Sequence, residues 1–177
     1  MHDTPLVILL LGLVLFASPL AQGADSAREW ETLRGLTGVR VVVAPLKPEI
    51  ERHGLTKRQL QTEIERRLHK AGMRVLTEQE QGATPGWPSL AITTTTAGHA
   101  QLPSVYALSM LVAVHQNALL ERDLSVAAYQ AATWSVSAID LIDRQQLGAA
   151  RERVAQLVDR FITAYLAVNP KPERSPR

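Results

Sequence analysis

Apolar residues recur along this chain at two periods, and the places where one gives way to the other outline a fold. Leu60, Ile64 and Leu68 repeat every four residues, so they line one side of a helix. Thr56 and Gln59 in front of that stripe form a capping box, and Leu55 with Leu60 supplies a hydrophobic staple. Gly72 stops the helix, with Met73 set to touch Leu68. Val154, Leu157, Val158, Phe161, Tyr165 and Val168 make a wider stripe, predicting a terminal helix over about 149–168 that ends at Asn169-Pro170.

Between these helices the period falls to two. Residues 39–44 (VRVVVA) read as a central strand buried on both faces, ended by Pro45 and Pro48, with a loop over 46–54. Residues 73–76 follow the first helix as the return strand of a β-α-β crossover, which places that helix on one sheet face. Residues 89–96 (SLAITTTT) form another strand. Two long extended runs, 106–120 and 126–139, predict a β-hairpin turning over 121–125. Ser26 and Glu29 cap a short first helix that Gly35 stops, and Thr77 opens a single turn. Residues 82–88 make a loop with Trp87 against the domain surface. The expected fold class is α+β: a two-layer sandwich in the order β-α-β-β-β-β-α, with a mixed sheet and two helices on one face. One domain spans 39–168, after a short helix and linker at 24–38 and before a disordered tail at 169–177.

Alternation along the last three strands sorts side chains into two sets. Leu90, Ile92, Tyr106, Leu108, Met110, Val112, Val114, Ala132, Trp134 and Val136 form the core set. The opposite set is small and hydroxyl-rich: Thr93, Thr95, Ser109, His115, Asn117, Tyr129, Thr133 and Ser135, with several alanines, Ser137 and one large apolar exception, Leu111. Those eight polar residues are the candidate partner-binding set. Such a face takes a partner strand, a glycan or a hydrogen-bonding surface, or else stands solvated like many antiparallel faces.

Residues 6–16 (LVILLLGLVLF) form an apolar run of 11, about half the 20 that a membrane-crossing helix needs. Such a run fits a secretory leader, and Ala21-Gln22-Gly23 supplies a cleavage site, so 1–23 is expected to be a signal peptide. The alternative is an N-terminus kept as a weak anchor, since residues 1–5 carry no Lys or Arg. No transmembrane span is expected after the leader, and the protein is expected to be periplasmic or secreted.

The 177 residues are 46% apolar and 20% charged, an ordinary globular composition that excludes wholesale disorder. The absence of Cys removes thiolate nucleophiles, Cys-based metal sites and an acylated N-terminal Cys. Loss of Asp3 with the leader raises the formal charge from +2 to +3, and the cations are dispersed, so nucleic acid is not an expected partner. His53, His69, His99 and His115 do not pair at ligand spacing, and no nucleophile elbow or phosphate-cradling loop is present. Helix-surface solvation accounts for the acid pair Glu63/Glu65 and a turn for Glu121/Asp123, and nothing marks these or Asp140/Asp143 as a desolvated pair. No catalytic, cofactor-binding or metal residues are expected, and the chain reads as a non-enzyme. The alternative is a secreted hydrolase or inhibitor-like protein whose site forms no motif.

Several blocks resemble a group of small exported bacterial proteins without assigned function. They are Gly54-Leu55-Thr56, Leu68-x-x-x-Gly72-Met73-x-Val75-Leu76-Thr77-Glu78, Pro85-Gly86-x-Pro88, Gln116-x-x-Leu119-x-x-Arg122-Asp123 and Thr133-Trp134. Leu157-Val158-Asp159-x-Phe161 and Tyr165-Leu166-x-x-Asn169-Pro170 continue the likeness. The strand and helix order is similar to that of the lipopolysaccharide-assembly lipoprotein, the auxiliary lipoproteins of lipid-transporting ABC systems and the N-terminal domain of the Tol-system propeller protein. That resemblance implies a non-catalytic periplasmic adaptor on an envelope protein or lipid-assembly machinery. The missing acylated Cys departs from the lipoproteins and leaves outer-membrane tethering out of what is implied. No functional residue carries over by motif.

Overall fold

Thr56 starts the best-specified helix as its neighbours dictate. In the computed structural model, which describes residues 26–170, the Thr56 side chain accepts from the Gln59 N–H while Gln59 accepts from the Thr56 N–H. The leader expected over 1–23 and the tail beyond Pro170 lie outside the described residues. This helix, α3, follows a short α1 (Ala27–Trp30) and α2 (Pro48–Arg52), and runs Lys57–Lys70 with Leu60, Ile64 and Leu68 buried. Gly72, at φ +81°, closes it, and the Met73 N–H donates to the Leu68 carbonyl at 2.9 Å.

Four strands form one mixed sheet in chain order: β1 (Arg40–Val43), β2 (Ser89–His99), β3 (Leu102–Leu120) and β4 (Asp123–Asp143). β1 runs parallel to β2, and the remaining pairs are antiparallel. Helix α5 (Ala150–Val168) closes the chain and packs beside α3 on one sheet face. The expected α+β sandwich is therefore the observed architecture.

Four local expectations are corrected. The return strand at 73–76 shrinks to a single parallel bridge, Val39 with Val75, because Thr77 at once caps α4 (Glu78–Ala83) through a second capping box. Gly38 allows even that approach: a Cβ there would lie 2.7 Å from the Arg74 carbonyl. β1 is consequently not central and not buried on both faces, since Val42 is exposed. The loop expected over 46–54 contains α2, where Pro48 sits at the first turn with its φ already suited to a helix and Ile50 drops into the core. The hairpin turns on Glu121-Arg122 alone, Leu120 pairing with Asp123, and β4 runs on to Asp143. Asp123 accepts from the Ser125 hydroxyl and N–H, and those bonds lower its carboxyl pKa.

The core lies between the two layers. Trp134 of β4 is fully buried with its ring centroid 5.4 Å from that of Phe161, and Leu108, Met110, Val112 and Val114 of β3 belong to the same core. Asn169, placed in the expected tail, is instead anchored. Its amide donates to the Leu33 and Tyr165 carbonyls, and its Oδ1 accepts from the Gly35 N–H at 2.7 Å. The two helices are joined by Arg67, whose guanidinium meets Glu63 at 2.7 Å on its own helix and Asp159 of α5 at 2.6 Å.

Trp134→Ala is expected to cost about 3–5 kcal/mol in urea denaturation, the range for emptying a buried aromatic site. Hydrogen bonds, first from Arg66 and then from Arg67, hold the Glu63 carboxyl down from 4.5 to about 2 against the opposing effect of partial burial. A depressed carboxyl contributes stability that is full above its ordinary pKa and lost as pH falls through the folded value. Glu63→Gln should therefore lower stability at pH 7 by less than about 1 kcal/mol, given solvent screening. The gap to wild type should narrow below pH 4.5 and close near pH 2, read as urea midpoints across that range.

Candidate binding surface

The face of the sheet opposite α3 and α5 is open over part of its area, although Ser89 and Ala113 on it are buried. Thr93 and Thr95 of β2 and Ser109 of β3 are exposed on it, Thr95 pairing with Ser109, and Ser135 of β4 lies across from Ala113. These four polar positions form one surface, as the alternation predicts. His115 sits farther along β3 on the same face, half-buried, opposite Ser89.

The other three candidates part company, and two β-bulges explain why. Val114 pairs with Trp134 but His115 pairs with Ala132, so Thr133 has no partner across the ladder. An extra residue resets the alternation. Thr133 turns toward the helix layer, where Gln116 donates to its hydroxyl at 2.8 Å and to the Thr32 carbonyl at 3.0 Å. Thr32 in turn donates to the Thr133 carbonyl. The same reset leaves Ala132, expected in the core, exposed. At the second bulge Gln116 pairs with Ala131 and Ala118 with Ala128, leaving Tyr129 and Gln130 opposite Asn117. Asn117 is structural there, its Oδ1 accepting from the Gln130 N–H. Tyr129 stands on the distal arm of the hairpin and is 78% exposed.

Residues outside the candidate set complete the surface. Nine large hydrophobic residues are exposed among those described, and seven of them lie on the hairpin strands. Ile139 and Leu141 extend the open face of β4 beyond Ser137, at 69% and 79% exposure, and Leu111 lies between them and β2. Leu119, Leu124, Val126 and Tyr129 lie near the hairpin tip. Continuing the period of two past Ser137 would have found the first pair. Of the second group the count finds Tyr129 alone.

At the β1 end, the loop before β2 forms one wall of a groove of about 430 Å³. The Trp87 N–H donates to the Thr84 carbonyl, with Pro85 and Gly86 (φ +80°) between them in a type II turn. Gly86 is fastened to β3 by the Asn117 N–H at 2.6 Å. Trp87 itself has φ +51°, and Gln130 has φ +50°. Such values cost a residue with a side chain about 1–3 kcal/mol. The Trp87 carbonyl accepts from both Gln81 and Gln130, and the indole is half exposed, not pressed on the domain surface as expected. Arg40 is held by Glu78 at 2.9 Å and by Gln81 at 3.3 Å.

Among the described residues no cluster of His, Asp and Glu is arranged to hold a metal ion, and no helix is long and apolar enough to cross a membrane. No protein-family profile matches the chain, and no curated protein matches it in sequence.

The two hydroxyl positions on β3 and β4 should respond oppositely to charge. Ser109→Arg, on the bare face, is expected to leave the urea midpoint within about 0.5 kcal/mol of wild type. Thr133→Arg, which breaks the Gln116 contact beneath the N-terminal turn, should lower stability by more than about 1 kcal/mol in the same assay.

Proposed function

We propose that this protein is a non-catalytic binding or adaptor module of the bacterial cell envelope, acting in the periplasm. It docks on an envelope protein or a lipid-assembly partner through the bare sheet face and the outer strand β4. The observation that carries this reading is the concentration of exposed large hydrophobics on the hairpin, five of them on β4 alone.

Two physical features support it. Among the described residues β4 is an edge strand with no neighbour on its outer side, and it carries no charged residue from Leu124 to Ile139. Edge strands are ordinarily blunted by Lys, Pro or bulges, because their free N–H and C=O groups recruit other strands. Here the bulges blunt the middle of the strand, while the ladder from Trp134 to Asp143 is regular. Apolar side chains left in water beside free backbone groups suit a partner that contributes both apolar contact and main-chain hydrogen bonds. The helix layer offers no equivalent, since its apolar stripes are spent on the core.

Site-directed photo-crosslinking in cells tests the reading. A photoreactive residue at Leu141 or Tyr129 is expected to give a discrete adduct, and one at Gln156 on the outer side of α5 is not. Ile139→Asp should abolish the Leu141 adduct. Equal labelling from all three positions, or adducts unaffected by Ile139→Asp, would overturn it.

A further inference from the structure

Trp87 and Gln130 are the non-glycine residues with positive φ among those described, and they are bonded to each other. They come from a loop and a strand more than forty positions apart, yet meet at one end of the sheet. Trp87 also precedes Pro88, whose ring disfavours helical backbone in the residue before it, so the conformation is doubly unfavourable. Backbone held this way persists only where its surroundings over-determine it, and such positions gather at binding sites. The surroundings are explicit here: two amide donors on the Trp87 carbonyl and the Asn117 N–H on Gly86.

What the strain maintains is a tryptophan side chain held 52% exposed beside a groove, contributing little to the core. The groove floor is made of small or short side chains, Ala91, Ser89 and Val42, which let a flat molecule approach the sheet closely. Its rim holds the Glu78 carboxylate, which accepts, and the His115 imidazole, which can both donate and accept. Its formal charges cancel, because Arg40 is paired with Glu78. The volume falls within the 300–1,000 Å³ usual for small-molecule sites.

We propose that this groove binds a neutral saccharide, with one sugar ring lying on the Trp87 indole. A pyranose presents an apolar C–H face to an aromatic ring and a belt of hydroxyls that both donate and accept, which matches an indole beside mixed polar groups. Charge cancellation between Arg40 and Glu78 disfavours an anion. A proline-rich peptide would also stack on the indole, but its carbonyls only accept, so it offers the groove fewer donors than a sugar does. The groove shares His115 with the bare face, but the docking role is read at Leu141 on the outer strand β4, which is not among the groove's lining residues, so failure here leaves that role standing, and the reverse holds too.

The test uses the full chain with three linear trisaccharides (tri-N-acetylchitotriose, maltotriose and cellotriose), followed by isothermal titration calorimetry and tryptophan emission. At least one is expected to titrate with one site per chain at millimolar strength and to shift the emission. Trp87→Ala should weaken that binding at least about tenfold, with circular dichroism and the thermal midpoint reporting whether the fold is kept. Gln130→Gly removes both the strain and the amide that steadies Trp87. It should weaken binding several-fold while holding or raising the thermal midpoint, a split that a purely structural residue would not produce. Ser109→Arg should bind as wild type. The proposal is overturned if none of the three sugars titrates, if Trp87→Ala binds them unchanged, or if a proline-rich peptide binds in a Trp87-dependent way and the sugars do not.

Discussion

The described helices bury one face of the sheet, and the stack of Trp134 on Phe161 marks where that happens. Trp134 lies between β3 and α5, so it fixes the register of the outermost strand and the seating of the last helix together. The stripes of α3 and α5 supply enough apolar surface to cover one side of four strands. With no further long helix among the described residues, the second side is open over part of its area, and the small hydroxylic residues there reflect that shortage.

Much of this is legible in the sequence because the signals are local. The capping boxes at Thr56 and Thr77, the glycine closure at Gly72 and the four-residue repeat on α3 each act within a few positions. The long hairpin is legible for the same reason: two long runs without a charged residue flank a short charged turn. The features that escape depend on neighbours distant in sequence. Whether 73–76 forms a strand or a bridge is decided by how soon Thr77 diverts the chain, and Pro48 reads as a terminator yet opens α2.

The binding surface divides along the same line. Thr93, Thr95, Ser109 and Ser135 obey a strict period of two and fall where alternation puts them. Thr133 and Ala132 do not, because one inserted residue exchanges the two faces along the rest of the strand, and no residue type announces a bulge made without glycine. Trp87 and Gln130 could not be paired in advance at all. Their hydrogen bond joins the loop before β2 to β4, and neither is the glycine or asparagine that usually signals a positive φ.

The clasp made by Asn169 has a mechanical meaning. It ties the final helix to the turn just after the first one through single hydrogen bonds arranged around one amide. A pulling force applied between the two ends of the folded body would therefore load those bonds in sequence, like a zip, before any strand of the sheet is sheared. Unravelling would begin at the edges of the helix layer and reach the strands last.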